Sequence, residues 1–420
     1  MEGNERLMNS TEFEHNLKKY AHLLITKGIN VLKDDFVLIN ADIDQAPLVR
    51  LMTEEAYRQG AYKVIVKWSD DQLARLNLTY QSKEALEDIP QYLLDESEYM
   101  IEKRMKRVAL RSSDPNAFNG VDADKISTSQ LAQSKAFQPL RIASQANVMS
   151  WLVCAGASPE WAALVFPKLK TQKEQVDALW DAIFKATRIY ADDPIQAWQD
   201  HENLLKEKAD YLNNQQFDAL HFTSGETDLT IGLPVNHVWE SATSQNQQGE
   251  DFIANMPTEE VFTAPDFRRI DGTVVSSKPL SYAGQIIDGM TFEFEKGQIV
   301  KATAQTGEEA LLKLIEENEG AKSLGEVALV PHQSPISQSN LTFYNTLFDE
   351  NASNHLALGS AYATSIQNGA QMTQDELEAA GLNRSHIHVD FMIGNATMDI
   401  DGIKQDGSRY PIFRQGEWAF

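Results

Sequence analysis

Residues 35–215 alternate short apolar runs with longer segments of helical spacing, and few folds accept that order. DFVLINAD (35–42), YKVIVKW (62–68), KRVALRSS (106–113) and ANVMSWLVCA (146–155) read as strands. Between the first two, APLVRLMTEEAYRQG (46–60) puts Leu48, Leu51, Met52 and Ala56 on one helical face and closes at Gly60. A further helix is expected around 128–146, and two more over 173–190 and 194–214. Strands separated by helices predict a parallel sheet with crossover connections.

From about residue 217 the texture changes. FDALHFTSGETDLTIGLP and MTFEFEKGQIVKATA (290–304) read as β-hairpins, the second with Phe292, Phe294 and Ile299 flanking a turn that contains Gly297. GEEALLKLIEENEG (307–320) is an isolated helical pattern. A chain of 420 residues exceeds what a single core usually serves. The expectation is therefore an α/β amino-terminal domain with a mainly parallel sheet over 1–212, and a mainly β (α+β) carboxy-terminal domain over 213–420.

With 61 acidic against 37 basic residues the formal charge is −24, which argues against a nucleic-acid partner, because such affinity rests on Lys and Arg neutralising phosphates. The single cysteine, Cys154, excludes an intramolecular disulfide and a CxxC metal site. Its apolar neighbours make it a small buried hydrophobe rather than a nucleophile. The opening residues hold no apolar run of signal-peptide type, and nowhere do about 18 consecutive apolar residues occur. The expected address is the cytoplasm, with no membrane partner.

Phosphate-binding loops, HExxH and GxSxG are all missing. The chemistry-bearing residues collect in the β-rich half instead. ANMPTEEVFTAPD (254–266) places Glu259 and Glu260 before an apolar run, and SLGEVALVP (323–331) sets Glu326 before Val-Ala-Leu-Val. NHLALGSAY (354–362) offers His355 and Tyr362. RSHIHVDFMIG (384–394) lines up His386, His388 and Asp390 on one face if it is a strand. Each has a bland reading: solvated carboxylates at an element entrance, an edge glutamate facing water, a histidine and a tyrosine sharing a helical face. Together the bland readings weaken, because unpaired carboxylates beside apolar strands are costly to bury. A divalent cation neutralises carboxylates and accepts neutral imidazole. One ion needs three or four protein ligands, and this set has more, so a dinuclear site with a bridging carboxylate and a water is plausible.

These four motifs, in this order, resemble those of the thermophilic-aminopeptidase family of metallopeptidases over nearly the whole chain. The resemblance implies two divalent metal ions, zinc first, with cobalt or manganese as alternatives. It assigns Glu260, Glu326, His355, Tyr362, His388 and Asp390 as their ligands. His386 falls outside that set and is expected to brace a ligand or to pack. The implied activity is a metal-dependent aminopeptidase that releases amino-terminal residues from short peptides through a metal-bridged water, and the implied assembly is a homodimer. Glu259, beside Glu260, is the candidate proton carrier, and Tyr362 either ligates metal or hydrogen-bonds the tetrahedral intermediate. The rival readings are another dinuclear-metal amide hydrolase, and a non-catalytic metal- or peptide-binding protein.

Overall fold

A computed structural model describes residues 9–112, 114–283 and 285–420. The first eight residues, where no apolar run of signal-peptide type occurs, and Ser113, the end of one expected strand, lie outside the described residues. The chain divides into two compact units, one running up to Asp200 and taking in Thr243–Pro257, the other comprising His201–Ala242 and Thr258–Phe420.

In the first unit, Phe36–Asp42, Lys63–Ser69, Lys106–Arg111 and Trp151–Ala155 form a parallel sheet in the order second, first, third, fourth. Val37, Leu38 and Ile39 are at most 1% exposed, as a central strand covered on both faces requires. Helices follow the strands, including Ala46–Arg58, which buries Leu48, Met52 and Ala56 of the expected face together with Val49, while Leu51 is half-buried. The helix expected around 128–146 is two, Ala123–Ala136 and Gln138–Gln145. Pro139 explains the break, since its ring fits a first helical turn but not a helix interior. Cys154 is fully buried, and burial pushes its thiol well above its ordinary pKa, consistent with a packing residue. The excursion 243–257 returns from the second half to this unit. Its hairpin places Glu250 at 3.0 Å from the buried Lys106 ammonium, which also meets Asp35 at 2.8 Å.

The second unit is built from antiparallel strands. An eight-stranded sheet contains both expected hairpins, Ala219–Ser224 with Thr227–Gly232 and Thr291–Glu295 with Gln298–Thr303. A four-stranded sheet runs, edge to edge, His388–Met392, His355–Gly359, Leu324–Leu329 and Val261–Thr263. The two sheets share one apolar core, to which Phe222, Ile231 and Phe292 come from the first, and Val327, Leu356 and Phe391 from the second. The rings of Phe292 and Phe391 meet across it at 4.7 Å. Helix Glu308–Glu317 adds Leu311, Leu314 and Ile315, the i, i+3, i+4 face expected of an amphipathic helix. Each such side chain contributes about 1.5–3 kcal/mol when fully buried. No helix among the described residues is long and apolar enough to cross a membrane.

The turn at Gly297 needs glycine twice over. Its φ is +81°, and a Cβ there would lie 1.8 Å from the carbonyl oxygen of Phe267. Gly297→Ala is expected to destabilise the protein by about 2–4 kcal/mol, combining left-handed strain with a backbone clash. Denaturant unfolding at constant pH measures this directly, and an unchanged midpoint would contradict it.

Candidate metal centre

The four-stranded sheet separates two chemistries by its pleat. Val327, Leu329, Leu356, Leu358, Val389 and Phe391 point into the shared apolar core. The alternate positions point the other way, and there the register aligns Glu326 with Ala357 and Ala357 with Asp390. Ala328 aligns with His355, and His388 lies opposite Gly359 on the same face. Glu260 sits just before the Val261–Thr263 edge strand, its side chain 9% exposed.

Two three-residue groups result, each with donor atoms within 4.8 Å of one another: Glu260, Glu326 and His355, and Glu326, His388 and Asp390. Glu326 belongs to both. Its Oε1 is 3.5 Å from His355 Nε2 and its Oε2 is 3.7 Å from His388 Nε2. Glu260 Oε2 lies 3.0 Å from His355 Nε2, and Asp390 Oδ1 lies 3.3 Å from His388 Nε2. Both imidazoles are aimed from behind, because Nδ1 of His355 donates to the Ser353 carbonyl and Nδ1 of His388 to the Ser360 carbonyl, at 3.1 and 2.7 Å. That leaves both Nε2 atoms facing the carboxylates, the arrangement that ligating histidines use. Gly325 makes room for the second of these supports, since a Cβ there would come within 2.3 Å of the Ser360 oxygen.

The electrostatics are those of too many carboxylates. Burial raises the Glu326 pKa, a hydrogen bond with His355 opposes the rise, and Asp390 and Glu260 add to it. Burial opposes the charged imidazolium of His388, yet Asp390 and Glu326 raise it to about 10. His355 is likewise raised despite burial, by Glu260 and Glu326. Burial works to raise Asp390 too, but the His388 charge outweighs it and holds the carboxyl low. Protons on two imidazoles thus serve as the cations that the carboxylates lack.

The residues fit divalent ions. Asp390 Oδ1 is buried, and its 3.3 Å approach to His388 Nε2 falls outside good hydrogen-bond geometry, leaving a lone pair for an ion. The donors are carboxylate oxygen and imidazole nitrogen throughout, a set suited to borderline divalent cations. An ion entering such a site displaces the imidazole protons.

Tyr362 is not on a helix with His355. His355 opens a strand, while Tyr362 lies in the loop beyond it, its ring 4.9 Å from that of His388 and 6.2 Å from that of Phe262. Burial, then the charges of Glu326 and Asp390, raise its pKa further and keep it a phenol. Glu259 turns away from Glu260. Its carboxylate lies 3.5 Å from His201 Nε2 and its amide donates to Asn351 Oδ1 at 2.7 Å. His386 precedes the strand and is exposed, so the expectation that it braces a ligand or packs is corrected. The strand begins two residues later, leaving the His386 side chain in solvent.

Two carboxylates escaped the sequence reading. Glu350, 7% exposed on a short turn, is raised well above its ordinary pKa by burial and then by Asp390 and Glu260. Asn351 donates to it at 3.4 Å. Glu240 exchanges both backbone hydrogen bonds with Phe262, at 2.8 and 3.0 Å, forming an antiparallel bridge beside the edge strand. Burial pushes its carboxyl up to about 7, against a hydrogen bond from Thr364 and with Glu326 adding to the rise. In the sequence both look like ordinary loop acids. Only the desolvation of their carboxyl groups in the folded chain distinguishes them.

Ala357 occupies the middle of the donor face, fully buried between Glu326 and Asp390. Valine there keeps β propensity but adds two methyl groups to the space between the carboxylates. Ala357→Val is expected to fold and to bind divalent ions ~10-fold or more weakly, from about 1–3 kcal/mol of overpacking. Calorimetric metal titration is the check, and unchanged affinity would show that the space is not needed.

Comparison with known proteins agrees with this architecture. The model of the thermophilic metalloprotease family (M29) matches residues 13–418. The chain is 55% identical to aminopeptidase PepS of Streptococcus thermophilus over 97% of this chain and 98% of that one. It is 41% identical to aminopeptidase T of Thermus thermophilus over 97% and 99%. The solved structure of wild-type AmpT from Thermus thermophilus superposes with a TM-score of 0.90 at 40% identity, covering 97% of this chain and all of that one. A metal-donor face on a β-rich unit, following a parallel α/β unit, is therefore the setting of a known catalytic fold, and the chain belongs to the thermophilic metalloprotease family (M29).

Proposed function

We propose that this metallo-aminopeptidase binds two divalent ions and releases amino-terminal residues from short peptides. One ion is assigned to Glu260, Glu326 and His355, the other to Glu326, His388 and Asp390. The observation that carries this reading is the position of Glu326, whose two oxygens face the two imidazoles and which is common to both donor groups. Zinc, cobalt and manganese all suit the oxygen and nitrogen donors. When bound to these residues, such ions would supply Lewis acidity toward the scissile carbonyl and would lower the pKa of a bound water.

The chain's own residues do the rest. Glu350 adds a fourth carboxylate to the cluster and balances the charge of a second ion. Tyr362 stands over His388 as a neutral phenol, able to donate its O–H to the oxyanion that develops when the carbonyl is attacked. If it ligates an ion instead, the nearby positive charge favours its phenolate. Glu259 is the proposed proton carrier from the attacking water to the leaving amine. It is 4% exposed and lies 3.5 Å from His201 Nε2, which is itself fixed by the Thr258 carbonyl at 2.8 Å.

The first test counts ions per chain and follows hydrolysis of leucine p-nitroanilide through chelation and metal return. Near two ions per chain, with activity lost and restored in step, is the expected result. His355→Ala and His388→Ala should each lower the count by about one, whereas Glu326→Ala should weaken both sites. A count near one in the wild type would remove the dinuclear reading. Glu259→Gln is expected to keep both ions and to lose ~10²–10⁴-fold in kcat. Full turnover in that variant would dismiss Glu259 as the carrier. Tyr362→Phe separates its two roles, because loss of an ion marks a ligand and a lower kcat with both ions present marks an oxyanion donor.

A further inference from the structure

The donor face of the four-stranded sheet does not end at its edge strand. Ala328 is paired with both His355 and Phe262, and Phe262 is bridged in turn to Glu240. Residues directly opposite in antiparallel pairs share a face, so Glu240 projects on the same side as His355 and Glu326. It stands two strand spacings from the Glu326 strand, roughly 10 Å backbone to backbone.

Glu240 differs from every other carboxylate on that face. It belongs to neither donor group. Its hydrogen-bond partners are hydroxyls, Ser365 Oγ donating to Oε1 at 3.4 Å and the side chain of Thr364 donating as well. No Lys, Arg or His among the described residues forms an ion pair with it. Both its backbone hydrogen bonds to Phe262 are made, so its position is set by the fold. It is partly exposed, as are residues 361–364 beside it, which include Tyr362. A carboxylate fixed by the fold, largely desolvated and with no counter-cation among the described residues, is a place for a cation that arrives from outside.

The proposed reaction supplies one. The substrate of an aminopeptidase carries a free α-ammonium group, separated by a single carbon from the carbonyl under attack. Two bound ions repel the protonated amine while attracting the carbonyl oxygen, so a carboxylate close to the ions but outside both donor groups is a favourable partner for it. Glu240 lies outside both donor groups, shares their face and feels the charge of Glu326. Resting on the dinuclear aminopeptidase reading above, we propose that Glu240 binds the α-ammonium group of the substrate and sets the distance from the chain terminus to the cleaved bond. This makes the enzyme an exopeptidase by charge recognition, since a blocked terminus leaves Glu240 desolvated and unpaired.

The experiment compares the metal-loaded wild type with Glu240→Gln, which keeps the hydroxyl hydrogen bonds, and with Glu240→Asp, which keeps the charge. Leucine and lysine p-nitroanilides give the kinetics, and calorimetric binding of 3-methylbutylamine gives a readout free of turnover. Expected for Glu240→Gln are an unchanged ion count, KM raised about 10–100-fold for both substrates with a smaller change in kcat, and a similar loss of amine affinity. Glu240→Asp should fall between, which also guards against a glutamine variant that fails to fold. The proposal is overturned by unaltered KM and amine affinity. A defect confined to the lysine substrate also overturns it, by making Glu240 a selector of side chains. A reduced ion count does so by making Glu240 part of the metal centre. If the wild type shows no metal-dependent hydrolysis, the aminopeptidase reading fails, and amine binding by wild type against Glu240→Gln still decides the role of Glu240.

Discussion

Four carboxylates, from Glu260, Glu326, Glu350 and Asp390, converge in a region where no lysine or arginine among the described residues is paired with them, and the second unit is organised around that fact. Burying one unpaired carboxylate is costly, and burying four together is untenable without positive charge. Without ions, His355 and His388 supply it as imidazolium, which is why both hold protons far above the ordinary histidine range. The same residues are the proposed ligands for divalent ions, and they already face one another on neighbouring strands. The charge imbalance is therefore the signature of the site.

Such a cluster persists only if the scaffold resists relaxing it. Here the opposing face of the same sheet does so, with Val327, Leu356, Leu358, Val389 and Phe391 held in the shared core. Rotating any of these strands to relieve the charges would expose that apolar face, because a one-residue slip exchanges the two faces entirely. Finer aim comes from the backbone. Carbonyls of Ser353 and Ser360 fix the two rings, and Asn351 ties the amide of Glu259 to the turn that carries Glu350. Binding groups positioned in advance lose less entropy when a substrate or ion arrives.

Much of this was legible from residue order. The βα alternation and the later hairpins describe the parallel and antiparallel sheets, because the hydrophobic periods of 2 and 3.6 are properties of local sequence. His388 and Asp390 on one strand face follow from alternation alone, and the structure shows that face. His386 fits the same alternation and is nevertheless in solvent, because periodicity does not say where a strand begins. Likewise the Tyr362 spacing from His355 could be read as helical, and a strand followed by a loop has no such spacing to obey.

The sequence by itself determined which residues could share a face, where the polar groups sit against apolar ones, and which donor chemistry was on offer. Tertiary structure decided which strands are neighbours, and so that Glu326 rather than Asp390 lies between the two imidazoles. It also decided that Glu259 faces His201, that Glu350 enters from a turn, and that Glu240 extends the donor face by one more strand position. The physical reason is that facing is a local consequence of the pleat, whereas adjacency and burial depend on how distant segments share one core.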